Sequence, residues 1–253
     1  MGKDKLRKFK ENETFKCLVQ PKTEEVFRTD YLLKGHWGEK FFGNDKPIVV
    51  ELGCGKGEYT IDLAMRNPSC NYIGVDIKGA RLWKGAKYAE ENNLPNVAFL
   101  RTRIEFIEGL FAPDEISEIW ITFADPQIGR EKKRLTSPLF LDRYRNFLKK
   151  GGIVHLKTDS RYLHEYTKAI VTQNNLTVLA SAVDIYGKDR VALYDSQMFS
   201  VCGKDAVDAL FEVQTFYESQ YLAQGIDITY LSFIIDHEGD YISPEWDEDL
   251  WER

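Results

Sequence analysis

Glu51 follows the apolar run Ile48-Val49-Val50 and precedes Leu52-Gly53-Cys54-Gly55-Lys56-Gly57. The order E-x-G-x-G-x-G puts a carboxylate at a strand end and alternating glycines in the turn that opens the next helix. Glycine lacks a Cβ and tolerates positive φ, so such a turn lets a bulky adenosyl ligand lie against bare backbone. The spacing is not the G-x-G-x-x-G that sets a helix N-terminus on a pyrophosphate. A carboxylate at this place repels phosphate and suits a cationic or amine-bearing ligand. Asp76 closes the next strand signal, Tyr72-Ile73-Gly74-Val75, nineteen residues beyond Gly57. In a βαβ unit that position accepts hydrogen bonds from two ribose hydroxyls. Nicotinamide sites share this device, but Glu51, Gly53, Gly55, Gly57 and Asp76 together point to S-adenosyl-L-methionine.

More carboxylates stand at later strand ends. Asp125-Pro126 follows Thr122-Phe123-Ala124 and leads into the basic run Arg130-Glu131-Lys132-Lys133-Arg134. Proline stiffens that turn and holds the carboxylate in place. Lys157-Thr158-Asp159 ends a further strand, and Thr215-Phe216-Tyr217-Glu218 opens a late helical stretch in which Thr215 and Glu218 share one face. Ligands of open α/β sheets bind at the C-terminal edge of the strands, where Asp125 and Asp159 are expected. A carboxylate followed by a basic loop suggests a reaction on a polyanion.

The elements that must position these residues alternate along the chain. Strand signals fall at 48–52, 71–76, 96–101, 118–123, 153–157, 176–182 and 227–235, with helical stretches at 58–66, 79–92, 104–111, 138–149, 160–174 and 205–223. Alternation of this kind calls for a mostly parallel sheet of seven strands, an antiparallel edge strand and helices on both faces. Residues 1–30 read as a basic, extended or partly disordered arm, and residues 31–253 as one domain. Residues 187–207 read as a long connection, and 236–253 as an acidic tail whose Trp246 and Trp251 dock on the domain.

The 253 residues suffice for a large core. The net charge of −6 argues against a general polyanion binder, yet Lys3, Lys5, Arg7, Lys8 and Lys10 cluster at the start, and Arg130–Arg134 form a second basic run. Locally basic chains of this kind can bind nucleic acid. Cys17, Cys54, Cys70 and Cys202 show no metal-ligand spacing, nor do His36, His155, His164 and His237, so reduced thiols and no metal are expected. With no long apolar run and no leader, the expectation is a cytoplasmic protein away from membranes.

These motifs together resemble the bacterial tRNA (guanine-N7)-methyltransferase family, over nearly the whole chain. The glycine turn is shared by many methyltransferases. Asp125-Pro126 with Lys133-Arg134-Leu135, Lys157-Thr158-Asp159 and Thr215-x-Tyr217-Glu218 are the family-specific part. The resemblance implies a Rossmann-like class I fold and S-adenosyl-L-methionine-dependent methylation of guanine N7 at guanosine 46 of the tRNA variable loop. It places Glu51, Asp76 and Arg103 at the cofactor, and Asp125 at the catalytic and cofactor-proximal position. Asp159 and Thr215–Glu218 fall at the substrate nucleoside, with Arg130, Lys132, Lys133 and Arg134 on flanking phosphates.

The chain also departs from the family. Asp125-Pro126-Gln127-Ile128-Gly129 stands where the family has Asp-Pro-Trp-Pro-Lys, so either Arg130 takes over the lysine charge or that contact is absent. Arg103 replaces an aspartate, leaving the adenine amino group to backbone atoms. A small-molecule methyltransferase, a nucleotide-dependent dehydrogenase and an RNA-binding protein without turnover are the other readings. Monomer and homodimer both stay open.

Overall fold

The computed structural model describes residues 3–247. Its elements run α1 (Lys3–Asn12), β1 (Leu18–Val19), α2 (Thr23–Val26), β2 (Ile48–Leu52), α3 (Glu58–Arg66), β3 (Asn71–Asp76), α4 (Gly79–Glu91), β4 (Val97–Arg101) and β5 (Ile116–Thr122). They continue with α5 (Pro138–Tyr144), β6 (Leu148–Thr158), α6 (Arg161–Gln173), β7 (Val178–Ala182), α7 (Arg190–Tyr194), α8 (Gln197–Cys202), α9 (Lys204–Glu212), α10 (Phe216–Ala223) and β8 (Thr229–Ile234). The sheet has the order β1-β4-β3-β2-β5-β6-β8-β7. The seven expected strands are all present, joined by an eighth, β1. Strands β2, β3 and β4 pair in parallel. The antiparallel strand β8 pairs with both β6 and β7.

The chain forms two compact units. The first runs to Ile119 and includes Phe147–Lys149. Every residue of β2 and β3 is buried, as expected of parallel strands covered on both faces. Its core centres on Val50, Leu52, Ile73, Val75, Phe99 and Leu100.

The start of the chain is not an extended arm. Residues 3–12 are helical and pack on α4. Asn12 Nδ2 donates to the Gly79 carbonyl at 2.8 Å, and Trp83 Nε1 donates to Glu11 at 2.7 Å. Arg7 and Lys8 sit over the Trp83 ring at 5.0 and 4.9 Å and also pair with Asp4, so part of the basic cluster is spent inside the fold. Trp83 anchors the helix through Arg7, Lys8 and Glu11.

The second unit comprises Trp120–Asn146 and the chain from Lys150. Residues 187–207 are not an irregular connection but contain α7, α8 and the start of α9. α7 and α8 are too short to show a clear period. α8 starts on a local cap, in which Ser196 Oγ accepts the Phe199 N–H at 3.3 Å. Trp246 docks edge-on against Tyr162 and Tyr166, with centroids 5.9 and 5.6 Å away. Trp251 lies outside the described residues.

Candidate active site

In the first unit, the glycine turn hangs from β3. The N–H groups of Gly53 and Cys54 both donate to the Val75 carbonyl, at 2.8 and 3.1 Å. Gly53, Gly55 and Gly57 have φ of 77°, 57° and 74°, so the left-handed turn inferred from their spacing is formed. The three glycines do different work. A Cβ on Gly57 would lie 2.4 Å from the Phe99 ring, so Gly57 is needed for packing as well as for φ. A Cβ on Gly53 would meet nothing within 4 Å, and one on Gly55 only the Gly53 oxygen at 4.0 Å. Bare backbone faces open space there, which fits an adenosyl ligand.

Asp76 is buried at the end of β3 and supports this turn. Its Oδ2 accepts the Gly55 N–H at 3.0 Å and its Oδ1 the Lys78 N–H at 2.7 Å. Each oxygen retains acceptor capacity for a hydroxyl. Glu51 is 3% exposed and its Oε2 accepts from the Thr60 N–H at 2.9 Å and from the Thr60 hydroxyl. The carboxylate thus satisfies an open donor in the first turn of α3, where negative charge is favoured. Cys54, beside both carboxylates, is held as a thiol mainly by burial and then by the charges of Glu51 and Asp76. The Arg103 side chain is exposed, 6.0 Å from the Phe106 ring centroid and 4.0 Å from the Glu105 carboxylate.

In the second unit, Asp125 is exposed, and its Oδ1 accepts the Gln127 N–H at 2.9 Å. Gln127 and Gly129 have φ of 51° and 69°, making a tight turn around Pro126. Arg130, Lys132 and Lys133 are exposed. Arg134 is not. Its side chain is 0% exposed, donates from Nε to the Pro126 carbonyl at 2.9 Å and from Nη2 to the Gln127 carbonyl at 3.1 Å, and stacks 3.9 Å from the Tyr166 centroid. It braces the Asp125 loop from beneath and has no face left for a phosphate.

Thr215 and Glu218 have structural partners of their own. Thr215 Oγ1 accepts the Glu218 N–H at 3.2 Å, and Glu218 Oε2 accepts the Thr215 N–H at 3.4 Å. The pair is the capping box of α10, for which T-x-x-E is the sequence signature. Glu218 also faces Lys157 Nζ at 2.6 Å, with both side chains fully buried, and accepts from the Tyr186 hydroxyl at 2.8 Å. Lys157 donates further to the carbonyls of Leu210 and Val213 at 2.8 and 3.2 Å. Burial pulls its ammonium down from the usual lysine range while the Glu218 carboxylate pushes it back up. Glu218 is therefore held on all sides in this structure and anchors the start of α10 to β6.

Of the residues expected at the nucleoside, Asp159, Phe216 and Tyr217 are accessible. Tyr217 is 42% exposed. Asp159 is half-buried, and desolvation raises its carboxyl above the usual range against the hydrogen bond from its own backbone. Among the described residues, no group of three or more His, Cys, Asp or Glu side chains is placed to hold a metal. No helix among them is long and apolar enough to cross a membrane.

Comparison with known proteins agrees with this geometry. Residues 45–187 match the protein family described as "Putative methyltransferase". A Christiangramia forsetii protein named tRNA (guanine-N(7)-)-methyltransferase is 53% identical over 236 residues, covering 92% of this chain and 99% of the relative. A Bacteroides thetaiotaomicron protein of the same name is 43% identical over 250 residues, covering 99% and 93%. Among solved structures, the 16S rRNA methyltransferase KamB superposes with a TM-score of 0.53 at 16% identity, over 75% of this chain and 88% of that one, a likeness of fold. On this near-full-length identity, the chain belongs to the tRNA (guanine-N(7)-)-methyltransferase family.

Proposed function

We propose that this protein transfers the methyl group of S-adenosyl-L-methionine to N7 of a guanine in tRNA, at guanosine 46 of the variable loop. The observation that carries the reading is the 53% identity to a relative named for guanine-N7 methylation, over 99% of that relative's length. The open backbone at Gly53 and Gly55 beside Asp76 supports the cofactor assignment. S-adenosyl-L-methionine, when bound, supplies a sulfonium methyl that the N7 lone pair can take, leaving a thioether. Because N7 carries no proton, no residue is needed as a general base, and no metal is needed to make the nucleophile.

The work left to the chain is orientation and charge. Asp76 takes ribose hydroxyls, and Glu51 fixes the turn while adding negative charge near a cationic ligand. Asp125 and Asp159 hold the acceptor base and favour the positive charge it gains, a form of electrostatic stabilisation. Holding the reactants in line can itself remove several kcal/mol of barrier. Arg130, Lys132 and Lys133 grip flanking phosphates, which positions the tRNA without reading sequence. A tRNA substrate fits a cytoplasmic protein.

The test is Asp125→Ala, assayed for methyl transfer to tRNA with cofactor binding measured in parallel. Transfer should fall by about a hundredfold or more while binding changes far less, the scale seen when one stabilising group is removed. Undiminished transfer would remove Asp125 from the reaction. A wild-type protein that binds cofactor and tRNA but moves no methyl group would instead support the RNA-binding reading.

A further inference from the structure

Phe123 and Tyr221 lie in the second unit, and neither is accounted for by the motifs or by the proposed phosphate contacts. Phe123 follows β5 and has φ of 49°, a left-handed conformation that is a genuine outlier for an aromatic residue. Such conformations cost energy and cluster at functional sites. Here the backbone is held by the Phe123 N–H, which donates to the Lys157 carbonyl at 2.9 Å. The Phe123 ring stacks with Tyr221 of α10, centroids 6.2 Å apart and planes 25° from parallel. Both residues are half-buried, so the aromatic pair is only partly covered. Lys157 Nζ stands 6.0 Å from the Phe123 centroid, but its charge is matched by Glu218 at 2.6 Å. That cation therefore does not make the ring pair repel positive charge.

Asp159, just beyond β6, belongs to the same neighbourhood. The Tyr221 hydroxyl is raised above its usual range, first by partial burial and then by the negative charge of Asp159. Asp159 is half-buried two residues beyond Lys157, whose carbonyl accepts the Phe123 N–H, so its carboxylate sits on the same rim as the ring pair. A half-buried carboxylate beside aromatic faces matches guanine, which offers N1–H and an exocyclic amine along one edge and two π-faces.

We propose that Phe123 and Tyr221 form the stacking face for the acceptor guanine, with Asp159 on its N1–H and amine edge. The proposal rests on guanine-N7 methylation as the reaction. Its consequence lies in charge. The unmethylated base is neutral, whereas forming the N7–CH3 bond makes the purine cationic as the sulfonium becomes a neutral thioether. Aromatic faces attract cations, and most strongly when desolvated. Stacking on this pair therefore grows along the reaction coordinate, and only interactions that strengthen toward the transition state accelerate the step. The same property makes the pair hold the methylated base more tightly than the unmethylated one.

The full-length protein tests this with tRNA and labelled cofactor. Tyr221→Leu, with its fold checked by thermal melting, should lower kcat/KM by about tenfold or more, the scale of one base–aromatic stack. Tyr221→Phe keeps the ring and should stay within about twofold of wild type. A wild-type rate in Tyr221→Leu, or an equal loss in Tyr221→Phe, overturns the stacking role. The unaltered protein gives a second measurement, its affinity for 7-methylguanosine 5′-monophosphate against guanosine 5′-monophosphate. A preference of about fivefold for the methylated nucleotide is expected from the cation–π contribution. Equal binding of the two, or binding of neither, overturns the proposal. Absence of methyl transfer by the wild-type protein counts against the tRNA reaction itself, while the nucleotide comparison still decides the stacking face.

Discussion

Lys133 and Arg134 are adjacent in the chain and stand in unlike surroundings, so the same substitution should do different things to each. Arg134 is fully buried against Tyr162 and Tyr166 and hydrogen-bonded to the carbonyls of Pro126 and Gln127. Arg134→Met should cost about 2–4 kcal/mol, because it removes two hydrogen bonds to part-buried carbonyls and leaves the faces of Tyr162 and Tyr166 without their cation. Thermal or urea unfolding reads this directly. Lys133→Met should leave stability unchanged and raise KM for tRNA, with a smaller penalty at high salt, as expected when one phosphate contact is lost. Lys157 and Glu218 add a second test. Removing one partner of a buried ion pair costs about 3–5 kcal/mol, whereas replacing both by apolar residues is often nearly neutral. Glu218→Gln should therefore be less stable than the double variant Lys157→Met/Glu218→Leu, a comparison made by urea denaturation. A double variant no better than the single one would mean that the Tyr186 and backbone hydrogen bonds, rather than the charges, dominate.

Among the elements, local signals were legible wherever one stretch of sequence carried its own cause. β2, β3 and α3 begin and end where the apolar runs and the glycine turn place them. The left-handed glycines were likewise implied by spacing, whereas the hydrogen bond from Gly55 to Asp76 became visible only in the fold. What sequence could not separate was a cap from a contact. Thr215-x-x-Glu218 carries the capping-box signature, and the family resemblance drew attention to the same residues as nucleoside ligands. Burial of Glu218 depends on Lys157 and Tyr186, both distant in sequence, so no local pattern could announce it. The burial of Arg134 depends in the same way on two tyrosines of α6. The helix at residues 3–12 was hidden because its partner is Trp83 on α4. If Thr215 is chiefly a cap, Thr215→Ala should lose about 1 kcal/mol and Thr215→Ser should recover it. In both variants the KM for tRNA should stay close to wild type, which steady-state assays will show.

Across the whole molecule, stability should carry a pH dependence of its own, set by a residue outside the candidate site. His164 on α6 is fully buried, and among the described residues neither ring nitrogen has a hydrogen-bond partner. Burial lowers its pKa from 6.5 to about 4, with Glu165 opposing the change, Arg161 and Lys168 adding to it, and Asp189 opposing it more weakly. The native imidazole therefore stays neutral at a pH where the unfolded chain already binds a proton. Stability from this residue is complete above about pH 6.5, declines as pH falls toward about 4, and changes no further below that, because both states are then protonated. Between pH 7.5 and 4.5 the loss amounts to about 2.5 kcal/mol, because one proton bound by the unfolded chain alone costs about 1.36 kcal/mol for each pH unit. Carboxylates such as Asp4 and Glu11, held below their usual range by partners in α1 and α4, titrate lower in the same direction, so the wild-type curve alone does not isolate the histidine. His164→Leu does. Urea melts of the two proteins at pH 7.5 and 4.5 should show the variant losing about 2.5 kcal/mol less than wild type over that interval. Parallel pH curves for the two proteins would mean that the buried ring takes up its proton without cost, through water or a local opening of α6.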